Sequence, residues 1–284
     1  MKKLFINLLL VFSAFTLFGQ PIYNKFGIEL KHTMTAEEAE LYKIYDINTV
    51  PTDPPTGQIR PIGEFEPCEA VLIAYPFGIP NSLIKEMAKD CKVIIAVAST
   101  GAQNTVTNQL SNYGVNMDNV EFMLAATDTY WTRDYGPWFM AIDDDHIAMY
   151  DFTYNRPRPN DNNLNVKVAK YLNIDRYASN IQGCGGNYMA DSKDLAASTD
   201  LILEENSYYT EAEIRQNFKD YLGVETFMIT DDPLADYIKH IDCWGKFLAP
   251  NKVIIGQVPE SDPRYQNFEE VANLFANTPS AWGM

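Results

Sequence analysis

Three short polar segments of the sequence contain the residues best suited to chemistry. Asp134 lies in the first, Asn187 in the second, and His240 with Asp242 in the third, with similar lengths of chain between them. Each segment comes just before the first strand of a predicted strand pair. Equivalent positions in a ring of repeated units converge on its central axis, so the sequence predicts that these four side chains face one pocket.

Two carboxylates and a histidine in an aromatic pocket suit a flat, positively charged guanidinium group. A carboxylate accepts a forked pair of hydrogen bonds from such a group. The rings of Trp131 and Trp244 can stack on its face, and His240 can move protons. There are ordinary alternatives: Asp134 can pair with Arg133 or cap a turn, and Gly-Gly-Asn is a common turn sequence. The prediction of a guanidinium site therefore rests on the combination of these motifs.

Two arginines, Arg156 and Arg158, alternate with prolines on a loop that follows a predicted strand. Proline fixes the backbone, so the loop is predicted to be stiff. One hypothesis is that the two guanidinium groups clamp a carboxylate. The alternative is a rigid surface loop whose charges are solvated. We favour the clamp, because two preorganised arginines are unusual in so acidic a chain.

The elements that must position these residues alternate between strands and helices, which indicates the α/β class. A strand–strand–helix–strand (ββαβ) unit then recurs three times. Its strand pairs are predicted at residues 138–142 with 146–152, 187–190 with 200–204, and 245–248 with 252–258. This repetition predicts a modular, propeller-like array. The third unit lacks a closing strand, so further residues are expected beyond the C terminus.

The first residues of the chain have the pattern of a secretory signal peptide. Lys2 and Lys3 precede a short apolar run over residues 4–18, and Gly19 offers a cleavage position. A membrane anchor is the alternative, but the run is shorter than the ~20 residues that span a bilayer. We therefore predict a signal peptide at residues 1–19, a lead-in at 20–63, a catalytic domain at 64–284, and a secreted protein without a membrane segment.

The formal net charge of −16 disfavours nucleic acid as a partner and favours cationic ligands. Four cysteines are too few for a disulfide scaffold, and none has a Cys-x-x-Cys spacing. With three histidines in all, a histidine-rich metal site is not expected either. We predict no metal and no cofactor.

Taken together, the motifs resemble those of the Porphyromonas-type peptidylarginine deiminases, which are relatives of the agmatine deiminases. The matching segments are residues 64–67, 75–80, 131–134, 155–161, 185–189 and 240–250. The resemblance implies an α/β-propeller of five pseudo-repeats and covalent catalysis without calcium. It implies that a cysteine thiolate attacks the guanidinium carbon, that Asp134 and Asp242 bind the guanidinium nitrogens, and that His240 protonates the departing ammonia and then activates water.

The resemblance also suggests a substrate and a missing group. Arg156 and Arg158 match a pair that faces the substrate backbone, which suggests arginine at a peptide C terminus. The expected substrate-binding residues are Trp131, Arg156, Arg158, Asn187 and Tyr237. The family nucleophile lies beyond the position of Trp282, so this chain is expected to be inactive by itself. Cys184 lies on a loop before Gly-Gly-Asn and could approach the pocket, but it matches no family nucleophile. Cys184 and Cys243 are therefore expected to be small apolar fillers.

The leading hypothesis is thus a protein-arginine deiminase that acts on arginine-containing peptides or proteins and lacks its nucleophilic cysteine here. The first alternative is an agmatine deiminase. The second is a non-catalytic module that binds arginine peptides. Glycoside hydrolysis also uses pairs of carboxylates, but it explains neither His240 nor the two arginines.

Overall fold

The computed structural model describes residues 34–44, 49–143, 146–235 and 238–283. The predicted signal peptide at residues 1–19 and the candidate residue Tyr237 lie outside these ranges. Within them, no helix is both long enough and apolar enough to cross a membrane.

Helices and strands alternate along the described chain. The helices are α1 (Ala36–Tyr42), α2 (Asn81–Asp90), α3 (Thr100–Tyr113), α4 (Thr132–Tyr135), α5 (Pro159–Asn162), α6 (Leu164–Leu172), α7 (Leu201–Glu205), α8 (Glu211–Leu222) and α9 (Tyr265–Asn277). The strands are β1 (Ile59–Pro61), β2 (Ala70–Ala74), β3 (Lys92–Val97), β4 (Val120–Leu124), β5 (Trp138–Ile142), β6 (His146–Tyr154), β7 (Asp175–Gly183), β8 (Met189–Ala190), β9 (Leu195–Thr199), β10 (Thr226–Thr230), β11 (Gly245–Ala249) and β12 (Lys252–Ile255). The α/β class is confirmed.

The described strands form four small sheets, and the predicted repeat is visible in them. The parallel sheet β2-β3-β4 comes first. In the next two units an antiparallel pair is followed by a helix and a parallel third strand, which gives β5-β6-α6-β7 and β8-β9-α8-β10. The pair β11-β12 with α9 follows the same order. No closed barrel is formed by the described residues, and the propeller stays a prediction.

One predicted strand is wrong. Residues 200–204 were expected to pair with residues 187–190, but the partner of β8 is β9, which lies five residues earlier. The chain turns directly into α7, because the carbonyl of Asp200 accepts hydrogen bonds from the backbone N–H groups of Leu203 and Glu204. The small side chains Ala196 and Ala197 let β9 pack between its neighbours with no exposure. The apolar run after Asp200 resembles a strand only in composition.

The core beneath the candidate residues is aromatic. The rings of Trp138 and Tyr188 stack with centroids 4.1 Å apart, directly beside the turn that carries Asn187. On α8, Phe218 stacks on Phe227 of β10 at 4.2 Å and is almost fully buried. Since offset-stacked rings combine large buried area with a preferred geometry, this cluster fixes the second repeat against the first.

We expect Phe218→Ala to lower the free energy of unfolding by about 3–5 kcal/mol, because it removes a buried ring and leaves a cavity. The measurement is urea denaturation followed by circular dichroism. Tyr208→Ala is the control, since Tyr208 is 98% exposed and should contribute little. Equal losses in the two variants would contradict the proposed importance of this cluster.

Candidate active site

The first carboxylate of the site is placed by the short helix α4. Its backbone turns over Trp131, whose carbonyl accepts the N–H of Asp134 at 2.8 Å. The neighbouring Tyr135 is buried, and its hydroxyl donates to the carbonyl of Thr129 at 2.7 Å. As a result the Asp134 side chain points into the protein, and the residue is 6% exposed.

A 3-10 turn, Gly185–Asn187, lies against α4 and connects it to the third segment. A side chain at Gly185 would collide with the Arg133 carbonyl, so only glycine permits this close approach. The amide oxygen of Asn187 accepts bonds from the backbone N–H groups of Thr199 at 3.0 Å and Ile241 at 3.3 Å. Asn187 was predicted to bind substrate; in this structure its oxygen holds the protein backbone.

His240 lies just before the 3-10 turn Ile241–Cys243 and is 6% exposed. Its Nδ1 is 3.8 Å from Asp134 Oδ1 and 4.0 Å from Cys184 Sγ. The structure therefore brings together the three segments that contain Asp134, Asn187 and His240. Asp242 is half-buried and close enough for its charge to raise the pKa of Asp134.

The electrostatics of the site are those of carboxylates removed from water. Burial, with a smaller contribution from the charge of Asp242, raises the pKa of Asp134 to about 6, against opposing effects of the Cys184 thiol, Arg156 and Arg133. Burial also raises the pKa of Asp242, and the nearby cations Lys246 and Arg133 oppose this shift. A bound cation would relieve the cost of both buried carboxylates.

The two cysteines near the site differ from the expectation and from each other. Cys243 is exposed, so its prediction as an apolar filler is wrong. Cys184 is 3% exposed and lies in the pocket, with its sulfur facing His240. Burial and then the charge of Asp134 raise the pKa of the Cys184 thiol well above its usual value. A thiol in this environment is a poor nucleophile, because the thiolate is the reactive form.

Both predicted clamp arginines are engaged by carboxylates that the sequence did not indicate. Arg158 is 3% exposed and forks onto Glu38 of α1, with Nε 2.7 Å and Nη2 3.2 Å from its two oxygens. Arg156 lies 3.9 Å from Glu205, and burial raises the pKa of Glu205 to about 7. Glu38 also accepts the backbone N–H of Thr35, which completes the N-terminal cap of α1. The clamp stays a prediction.

The aromatic residues divide between the site and the core. Trp131 is half-buried next to Tyr130, with ring centroids 4.5 Å apart, at the start of α4. Trp244 is 5% exposed and packs with Ile241 and Phe268 in a hydrophobic cluster. Trp244 is therefore packed in the core of the third repeat, and the stacking of its ring on a ligand stays a prediction.

Comparison with protein families gives one match over most of the chain. The family model of the Porphyromonas-type peptidyl-arginine deiminases matches residues 60–284. This range includes α4, the turn at Gly185–Asn187, and His240 with Asp242.

Similar proteins carry agmatine deiminase names. A Listeria monocytogenes protein named "Putative agmatine deiminase 2" is 24% identical over 245 residues, which is 78% of this chain and 66% of that protein. The agmatine deiminase of Pseudomonas putida is 24% identical over 221 residues, which is 71% of this chain and 58% of that protein. The solved agmatine deiminase of Enterococcus faecalis superposes with a TM-score of 0.69 at 22% identity, over 82% of this chain and 72% of that one. The chain thus spans about three fifths to two thirds of the length of these two curated relatives.

We expect Asp134→Asn to raise the free energy of unfolding near pH 7 by on the order of 2 kcal/mol, because it removes a buried charge. The folded protein holds the proton of Asp134 more tightly than the unfolded chain, where the pKa has its ordinary value of 3.8. Protonation therefore stabilises the parent fold fully below pH about 4, and that stabilisation is lost as the pH rises through about 6.

Urea titrations of parent and variant between pH about 4 and about 7 test this expectation. The difference between their free energies of unfolding should become smaller as the pH falls. The exposed Asp231→Asn is a matched control that should change little at any pH. A difference of constant size across the range would contradict the raised pKa.

Proposed function

Since this chain belongs to the Porphyromonas-type peptidyl-arginine deiminase family, we propose that it carries the substrate site of a guanidine hydrolase of the agmatine deiminase kind. In the proposed reaction water replaces one guanidinium nitrogen, which yields a ureido group and ammonium. The observation that carries the proposal is the meeting of two buried groups from distant segments, His240 and Asp134, within reach of the charge of Asp242.

Each of these residues has a role that follows from its position. Asp134 and Asp242 accept hydrogen bonds from the guanidinium nitrogens, and their attraction for a cation is strong because the site is largely shielded from water. His240, next to Asp134, gives a proton to the departing ammonia and later takes one from the attacking water. The half-buried ring of Trp131 borders the same helix and covers the substrate.

The proposal assigns the nucleophile to a thiolate outside these residues. Cys184 is in the site, but its thiol is kept protonated by burial. Cys68 and Cys243 are exposed, and the Cys91 thiol donates to the carbonyl of Met87 on α2. The relatives are longer than the stretch that matches this chain, so the reaction as a whole is proposed for the protein that includes the remaining part of their length.

Agmatine is the substrate that we favour, for two reasons. The similar curated proteins are named agmatine deiminases. A substrate carboxylate would have to displace Glu38 from Arg158, and breaking a buried ion pair costs about 3–5 kcal/mol. Because the side chain of Glu38 is 22% exposed, the real penalty is smaller than that figure. Agmatine has no carboxylate and requires no such displacement.

Peptide arginine is the second candidate, and Arg156 favours it. This arginine is close enough to lower the pKa of Asp134, so its charge acts in the site. Export through a signal peptide at residues 1–19 would bring the protein into contact with peptides, and that export is part of this second proposal.

We expect the protein expressed from its whole gene to hydrolyse agmatine with a kcat/KM at least about tenfold above that for a peptide ending in arginine, because the peptide must displace Glu38. Release of ammonia and formation of the ureido product are measured for both substrates. Glu38→Gln weakens the ion pair with Arg158 and should bring the kcat/KM values for the two substrates closer together. Faster turnover of the peptide by the parent protein would overturn the agmatine proposal in favour of the second candidate.

We also expect the 284-residue chain to bind agmatine with a Kd that rises up to about tenfold per pH unit below pH about 6, because protonation removes the charge of Asp134. Isothermal titration calorimetry over this range measures the effect. Asp134→Asn should bind weakly at every pH, whereas the exposed Asp231→Asn should behave like the parent. Tight binding to Asp134→Asn would contradict the assigned role.

A further inference from the structure

Three buried donor atoms of different chemistry face one another inside the candidate site. Asp134 Oδ1 and His240 Nδ1 are 3.8 Å apart, and His240 Nδ1 and Cys184 Sγ are 4.0 Å apart. All three ligand atoms lie within 4.8 Å of one another. The residues are 6%, 6% and 3% exposed, so the donors are shielded from bulk water.

These separations approach those around a tetrahedral zinc ion. With Zn–S of about 2.3 Å and Zn–N or Zn–O of about 2.0–2.1 Å, neighbouring donor atoms lie roughly 3.3–3.6 Å apart. The His240 distances to the other two donors exceed this by roughly half an ångström, a change that small side-chain rotations supply. Thiolate, imidazole and carboxylate together form a donor set typical of zinc.

Gly186 keeps the space beside two of these donors open. A Cβ atom at this position would lie 2.5 Å from His240 Nδ1 and 3.1 Å from Asp134 Oδ1. The turn that carries Gly186 is fixed from both sides, by the close approach of Gly185 to Arg133 and by the bonds that Asn187 accepts. The space is therefore a property of the fold and does not depend on the rotamer of a side chain.

We propose that Asp134, Cys184 and His240 form a zinc site that closes the guanidinium pocket when it is occupied. The Cys184 S–H bond breaks on binding, its sulfur forms a bond to Zn²⁺, and the proton is released to solvent. Three protein ligands leave a fourth position for water. The metal takes the carboxylate and the imidazole that the proposed function assigns to substrate, so zinc and substrate exclude each other. Zinc binding itself does not require the proposed function, whereas the exclusion rests on it.

The test begins with the chelator-treated 284-residue chain titrated with Zn²⁺ against a chromophoric chelator. One equivalent should bind, and Co²⁺ in its place should show a thiolate-to-cobalt charge-transfer band. Cys184→Ser should lower the zinc affinity by at least about 100-fold, since even loss of a group that only orients a ligand costs 10–100-fold. Cys243→Ser is the matched control, because Cys243 is exposed three residues from His240 and should leave the affinity unchanged.

Gly186→Ala is the second variant and retains all three donors. It should also lower the zinc affinity, because its methyl group occupies the space next to His240 Nδ1. Circular dichroism establishes whether each variant is folded. If Cys184→Ser unfolds, the cobalt spectrum of the parent chain and the zinc affinity of Gly186→Ala decide whether the site exists. Zinc affinity unchanged by both variants, or a cobalt complex without the thiolate band, would overturn the site.

A final titration separates this proposal from the proposed function. Agmatine added to the zinc-loaded chain should bind with an apparent Kd that increases in proportion to the zinc concentration. Simultaneous binding of both ligands would overturn the exclusion. If the metal-free chain binds no agmatine at all, the proposed function fails, while the zinc titration and its variants still decide whether the metal site exists.

Discussion

The candidate site depends on the hydrogen bonds accepted by one buried amide. The Asn187 side-chain oxygen accepts from the N–H and hydroxyl groups of Thr199 and from the N–H of Ile241. Removal of this oxygen would leave buried backbone donors unpaired, at a cost of about 1–3 kcal/mol each. The hydrogen bonds to Asn187 and the close contact of Gly185 with the Arg133 carbonyl together join three segments that are distant in sequence. The distances between Asp134, Cys184 and His240 follow from this junction.

The same junction creates an electrostatic cost that the rest of the fold must offset. It holds two carboxylates, Asp134 and Asp242, away from water. This burial raises the pKa of both, and the charge of Asp242 adds to the rise at Asp134. Two cations, Arg133 and Lys246, lie near Asp242. Both also form ion pairs with Glu64, which weakens their stabilisation of the Asp242 charge. The stacked rings beneath the site supply apolar burial that compensates for this cost. Because the two buried carboxylates destabilise the empty site, a cation that binds there offsets their cost, and its binding free energy is more favourable.

The sequence predicted those features that depend on local pattern. The strand pairs of the first and third repeats follow from the side-chain period, and the structure contains both pairs. The convergence of Asp134 and His240 followed from the repeat. Two features depended on contacts with distant segments and were missed: the packing of Trp244 in the core, and the strand β9, whose small residues give little periodic signal. The position of Cys184 before Gly-Gly-Asn indicated that it could approach the pocket, but its contact with His240 was not predicted. The absence of a clustered metal motif was likewise a local observation, and it could not exclude donors from three separate segments.

The pairing of Arg158 with Glu38 shows why a loop motif alone does not establish a substrate. The arginines lie within the region that the family model matches, but Glu38 lies on α1, outside residues 60–284. Without this helix Arg158 would lose its bidentate carboxylate partner, whereas Arg156 would keep Glu205 of α7 beside it. Buried arginine that is held by both oxygens of a carboxylate has little remaining capacity for a second anion. Under the proposed function, the carboxylate that α1 places on Arg158 therefore disfavours substrates that carry a carboxylate of their own.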